Sequence, residues 1–258
     1  MTTSVVTGSA SGMGAALRRH FEQSGDTVIG IDIRDAEIIA DLSDHNDREK
    51  AILDIKQQCD ALDRFVACAG LATYARPPSL IASVNYFGAL VLLDGLFELL
   101  QQGDNPAAVV VLSNSAQWVP MDDSPYMQAL LDNNEANATR IIDDMENVLM
   151  AASHAYVGSK LALGRAIRSR ATKWGKSGVR LNAVAPGNTN TPMLSRVLED
   201  PNIGDSVRDM EIPLERLAEP DEIAVLIAFL CSSQASYVHG SIFYIDGGLD
   251  AQIRPDRF

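Results

Sequence analysis

The chain has 258 residues, is 47% apolar, and sets 34 acidic against 21 basic side chains for a formal charge of −13. That length and apolar share fit one domain with a sizeable core, and scattered Lys and Arg in an acidic chain exclude a duplex-binding surface. No apolar run approaches the ~18 residues a membrane helix needs. The three cysteines (Cys59, Cys68, Cys231) form no C-x-x-C pair and the four histidines stand far apart. Neither a disulfide framework nor a metal site is expected. The opening MTTSVVTGSAS has no basic residue and no leader-length apolar stretch, so a cytoplasmic location is expected.

TSVVTG, from Thr3, reads as the first strand; its apolar residues are continuous rather than alternating, the pattern of a strand buried on both faces. It runs into Thr7-Gly8-Ser9-Ala10-Ser11-Gly12-Met13-Gly14, where helical spacing takes over from 12 to 23. TVIGID (from Thr27) and EIIADL (from Glu37) are the next strands, 49–59 is a predicted helix, and RFVACAG (from Arg64) is the fourth strand. Leu80, Val84, Phe87, Leu90 and Val91 at three- and four-residue steps predict one long helix over 79–100. The strand AVVVLSN (from Ala108) follows. Segment 117–153 departs from the alternation and reads as an insertion, helical over 129–150. A helix over 154–174 and the strand RLNAVAPG (from Arg180) come next. The second irregular segment, 190–210, carries the stripe Met193, Leu194, Val197 and Leu198; a stretch this long in a compact domain is expected to be a substrate lid. Glu219-Pro220-Asp221-Glu222 opens a helix to 230, and SIFYIDG (from Ser241) is the last strand. The alternation predicts a single α/β domain over 1–258: a Rossmann-type, doubly wound, seven-stranded parallel sheet with helices on both faces.

Two constellations carry chemistry. Glycines between a strand and a helix allow a tight turn and let the backbone approach a pyrophosphate, which the helix N-terminus then attracts. Asp32 stands 18 residues past Gly14, where an acid is expected to bind the adenosine ribose and repel the extra phosphate of NADP. Arg34 is the neighbour that favours NADP instead. Tyr156 and Lys160 lie four apart, on one face of a helix. A phenol has a pKa of about 10; an adjacent ammonium stabilises its phenolate and makes it an acid/base for an alcohol that loses hydride.

Taken together these motifs resemble the short-chain dehydrogenase/reductase family over nearly the whole chain. Thr7–Gly14 match its T-G-x-x-x-G-x-G, Asp41-Leu42 its acid-hydrophobe pair beside the adenine, Pro186-Gly187 its P-G, and Asp246-Gly247-Gly248 its terminal D-G-G. Cys68-Ala69-Gly70 match the end of N-N-A-G, but Ala67 and Cys68 replace both asparagines, so side-chain bracing of the central sheet there is not expected. The resemblance implies a catalytic set of Asn85, Ser113, Tyr156 and Lys160. Tyr156 is the acid/base, Lys160 tunes it, Ser113 holds the carbonyl oxygen and Asn85 holds a relay water. Ser113 is preferred to Ser115 because the strand register points to it. The implied cofactor is NAD, held by Gly8, Ser11, Gly12, Met13, Gly14, Asp32, Ile33, Asp41, Leu42, Ala69 and Gly70, with Tyr156, Lys160, Pro186, Gly187, Thr189 and Thr191 around the nicotinamide.

IDIRDAEIIADLS, VNYFGA, GVRLNAVAPG and ASYVHG are further similar to a bacterial 3α-hydroxysteroid dehydrogenase/carbonyl reductase subgroup. That implies a small hydrophobic alcohol or ketone substrate, a 3α-hydroxysteroid first, touching Ser113 and Tyr156 and walled by Trp118, Met121, Tyr126, Met193, Leu194 and Val197. Ser113 and Tyr156 are 43 residues apart; the insertion between them falls where the family builds a helix-to-helix interface, which implies a homodimer rather than a tetramer. The same chemistry on an aryl or coniferyl-type alcohol, an NADP-dependent carbonyl reductase and a catalytically silent dinucleotide-binding protein remain alternatives.

Overall fold

The computed structural model describes residues 2–256. Its strands are β1 (Thr3–Thr7), β2 (Thr27–Asp32), β3 (Ile38–Ile39), β4 (Arg64–Ala67), β5 (Ala107–Val111), β6 (Arg180–Pro186) and β7 (Ile242–Ile245). They form one sheet in the order β3-β2-β1-β4-β5-β6-β7, every neighbouring pair parallel. The chain winds outward from β1 to β3 and then returns to lay β4 on the other side of β1. That reversal opens a crevice at the strands' C-terminal ends.

The helices are α1 (Gly12–Gln23), α2 (His45–Gln58), α3 (Leu80–Ala82), α4 (Ala89–Gly95), α5 (Phe97–Leu100), α6 (Pro125–Leu131), α7 (Glu135–Asp143), α8 (Val148–Lys176), α9 (Pro192–Glu199), α10 (Gly204–Arg208), α11 (Pro220–Cys231) and α12 (Leu249–Ile253). Successive strand residues point to opposite faces, so the continuous apolar runs feed two cores. Val6, Val66 and Val109 pack with Leu17 and Phe21 of α1 and Ile223 and Ile227 of α11. Val5, Phe65 and Val110 pack with Ile55 of α2, Leu92 of α4 and Leu163 of α8.

The predicted alternation is present, with local differences. Helix α2 begins at His45, a turn before the predicted start, because the Asp44 side chain accepts from the N–H groups of Asn46 and Asp47. The helix expected over 79–100 is broken into α3, a π-helical turn over Ser83–Gly88, α4 and α5. Ser83 O accepts from a buried Arg48 guanidinium at 3.0 Å; a side chain inserted at the backbone ladder is a known cause of such distortions. The insertion is not helical throughout 129–150. Asn133 adopts φ +55°, and the caps Ser124, Asn134 and Asn147 start three separate helices, α6, α7 and α8. The Asn147 cap also carries α8 six residues upstream of its predicted start. Among the described residues no helix is long and apolar enough to cross a membrane.

Candidate active site

The glycine turn joins β1 to α1. Gly8 has φ +70°, and a Cβ there would lie 2.9 Å from the Ala69 backbone; a Cβ on Gly14 would lie 2.1 Å from Gly8 O. The turn therefore brings bare backbone against β4 and leaves room for a ligand rather than for side chains. Helix α1 has neither a side-chain cap nor an acid in its first turn, so its first N–H groups face the crevice unneutralised. Asp32, closing β2, accepts from Ala10 N at 3.0 Å and from Ile33 N at 2.7 Å. A carboxylate has about four acceptor sites, so it holds the turn and keeps capacity for ribose hydroxyls.

The bracing that the missing asparagines would supply comes from elsewhere. Thr7 Oγ1 accepts from Cys68 N at 3.0 Å and Ala69 N at 2.9 Å, tying β1 to the end of β4. Gly8, Ser11, Gly12, Met13, Gly14, Asp32, Ile33, Asp41, Leu42, Ala69, Gly70 and Thr191 all line one cleft of about 380 Å³. Cys68 lines it too, its thiol pushed up to about 12 by burial, which makes it a protonated wall and not a nucleophile. Pro186, Gly187 and Thr189 do not line this cleft. Thr189 is buried, and its hydroxyl bonds Gly187 O within the turn that leads to α9.

Tyr156 and Lys160 project from α8 beside the end of β5. Lys160 Nζ donates to Val111 O at 2.8 Å, and burial pulls its pKa down to about 8. Burial likewise raises the Tyr156 phenol above its ordinary value; a hydrogen bond with Ser113 works the other way, and Tyr74 adds to the rise. Desolvation is the larger effect on both groups. Ser113 is buried and caps the 3₁₀ turn Asn114–Gln117. Its Oγ lies 2.9 Å from that of Ser115. Of the two serines, Ser113 is the one near enough to lower the Tyr156 phenol. Asn114 Nδ2 reaches Asp246, which also accepts from Gly248 N and Asp250 N, so the terminal D-G-G motif steadies the serine turn. The Asn85 amide, inside the π turn, clamps the backbone of Leu71, accepting from its N–H at 2.7 Å and donating to its carbonyl at 3.0 Å.

The expected substrate walls fall in different places. Trp118 and Met121 line a cavity of about 880 Å³ together with Ser113 and Lys160. Met193 lines the smaller cleft, while Leu194 and Val197 line neither. Met121 and Tyr126 pack against the Gly158 position of α8, and the Tyr126 hydroxyl donates to Ala155 O; Tyr126 is a buried core residue of the insertion, not an open wall. Helix α9 buries no residue, leaving its apolar stripe partly open.

Sequence reasoning missed Tyr74 and Arg196. Both line the smaller cleft, and the Arg196 guanidinium lies 5.6 Å from the Tyr74 ring centroid, linking α9 to the loop after β4. Their 122-position separation gives no local signal. Of the catalytic pair, Lys160 lines the larger cavity and Tyr156 lines neither space; Tyr156 lies close enough to Ser113 and Tyr74 for both to act on its phenol.

Fold and site together define the class: a doubly wound α/β oxidoreductase. A family model described as enoyl-(acyl carrier protein) reductase matches residues 126–250. The 3-alpha-hydroxysteroid dehydrogenase/carbonyl reductase of Comamonas testosteroni is 45% identical over the full length of both chains. A coniferyl-alcohol dehydrogenase of Pseudomonas sp. is 29% identical over 95% of each. The crystal structure of a 3-alpha-hydroxysteroid dehydrogenase from Pseudomonas sp. B-0831, complexed with NADH, superposes with a TM-score of 0.96 at 43% identity, covering both chains completely. The chain belongs to the short-chain dehydrogenase/reductase family.

Proposed function

We propose that the protein is an NAD-dependent dehydrogenase interconverting a secondary hydroxyl and a ketone on a hydrophobic substrate, a 3α-hydroxysteroid first among candidates. One observation carries this reading: Ser113, Tyr156 and Lys160 come together at the strand ends, beside a cleft walled by the glycine turn and Asp32. The glycine cradle that a Cβ would fill fits a pyrophosphate, and the acid at the end of β2 favours NAD over NADP. The full-length likeness to a hydroxysteroid dehydrogenase and to one holding NADH supports the substrate and cofactor choices.

The turn Gly8–Gly14 holds the pyrophosphate, Asp32 the adenosine ribose, and Asp41 and Leu42 flank the adenine. Bound NAD supplies the hydride acceptor for oxidation and, when reduced, the donor. Tyr156 takes the hydroxyl proton in oxidation and returns it in reduction. Ser113 donates to the substrate oxygen, a bond that strengthens as negative charge develops. Lys160, charged below about pH 8, favours the phenolate. The Asn85 amide clamps Leu71, and the assignment of a relay water to this residue rests on the family resemblance. Trp118 and Met121, from the larger cavity, and Met193, from the smaller cleft, offer apolar surface to the substrate. Three free thiols support a cytoplasmic location. The insertion packed on α8 through Tyr126 supports a homodimer over a tetramer, which light scattering on the purified protein tests.

The deciding experiment offers hydroxysteroids and aromatic alcohols with NAD and with NADP while following reduced-nicotinamide absorbance. Turnover of a hydroxysteroid with NAD is expected. Tyr156→Phe is expected to abolish it with NADH binding nearly intact; a Phe variant that still turns over refutes the assignment.

A further inference from the structure

Arg48 of α2 is 1% exposed, and its guanidinium makes five hydrogen bonds. Nε donates to Leu42 O at 2.7 Å; Nη2 donates to Ser43 O at 3.1 Å and Ser83 O at 3.0 Å; Nη1 and Nη2 grip the Glu135 carboxylate at 2.6 and 2.8 Å. Three separate parts of the chain meet on this one cation. Leu42 and Ser43 belong to the loop after β3 that lines the smaller cleft. Ser83 opens the π turn that carries Asn85. Glu135 is the first residue of α7, inside the insertion.

A guanidinium keeps its charge in a protein, and a buried charge persists only where it is paired and fully hydrogen-bonded. Apolar residues of similar volume often replace a buried ion pair with no loss of stability, so stability does not by itself account for this one. What an apolar residue cannot do is hold three carbonyl groups and one carboxylate in fixed relative positions. The close approach it maintains is tight: a Cβ on Gly88 would lie 3.0 Å from Leu42, so the π turn and the 41–43 loop fit only in a narrow range of positions.

We infer that Arg48 is a positioning residue through which the insertion, by way of Glu135, pre-forms the adenine side of the cofactor cleft. The inference rests on the NAD reading above. The insertion then has a task inside the subunit: without its carboxylate, the guanidinium is free to leave the two loops it aligns.

The test uses the full chain carrying Glu135→Ala, Glu135→Gln, Arg48→Lys or Arg48→Met. NADH and ADP-ribose binding are measured by fluorescence and calorimetry, alongside KM and kcat. Glu135→Ala is expected to weaken both ligands about tenfold, the scale of coupling through a packed network. KM for NAD is expected to follow, while kcat and KM for the alcohol move less than about threefold. Arg48→Lys is expected not to rescue, because one ammonium cannot reproduce a planar fork. Should Arg48→Met fail to fold, the Glu135 variants carry the test, since that side chain is 31% exposed. As a control, Arg140→Ala removes only exposed bonds within and just after α7, to Asn137 and Asp144, and is expected to leave binding unchanged. Glu135→Ala binding NADH like wild type, or Arg140→Ala weakening it equally, overturns the inference. A wild-type chain that binds neither ligand instead sinks the cofactor reading itself.

Discussion

Replacing Lys160 with methionine should make the protein more stable at neutral pH while removing its activity. Burial brings the lysine from 10.5 to about 8. At ~1.4 kcal/mol per unit, a charged Lys160 costs the folded state about 3 kcal/mol near pH 7. Methionine removes that penalty and keeps most of the side-chain packing, but loses the bond to Val111 O, worth about 1 kcal/mol. A net gain of about 2 kcal/mol is expected. The direction with pH follows from proton binding. Between about 8 and 10.5 the unfolded chain holds this proton and the folded chain does not, so wild-type stability rises with pH through that window. The variant lacks the group and gains nothing. Urea unfolding of both proteins at about pH 7 and about pH 9.5 should therefore show the variant's advantage shrinking by about 2 kcal/mol. A variant less stable than wild type at neutral pH, or a gap that does not move with pH, refutes the argument that desolvation governs this lysine.

Gly158→Ala puts a Cβ 2.6 Å from Tyr126 Cε1 and 2.9 Å from its Cδ1, so thermal unfolding should report a loss of about 1–3 kcal/mol from overpacking α6 on α8. Asp32→Ser removes the negative charge at the ribose end while keeping an acceptor for Ala10 N; the ratio of kcat/KM for NADP over NAD should rise by about tenfold or more. Ser113→Ala should lower kcat about a hundredfold. Ser115→Ala, whose hydroxyl touches Ser113 rather than Tyr156, should cost less than about tenfold, and equal losses would count against the choice of serine.

Features set by neighbours in sequence were readable before any fold was known. The continuous apolar runs of β1, β4 and β5 determine strands buried on both faces. The glycine spacing from Gly8 to Gly14 determines a turn that no other residue fills. The four-residue step from Tyr156 to Lys160 fixes one helix face. Each depends only on backbone period and local sterics. The tertiary structure decided what depends on distant partners and on burial. Arg48 meets Glu135 across 87 positions and bonds Ser83 O where the π turn begins. Thr7 replaces asparagine bracing 61 positions away. Apolar residues of the lid and the insertion, alike in sequence, sort into an open stripe on α9 and a packed core at Tyr126. The protonation of Tyr156 and Lys160 is likewise set by the removal of water around α8, and solvation is a property of the assembled fold that residue spacing does not encode.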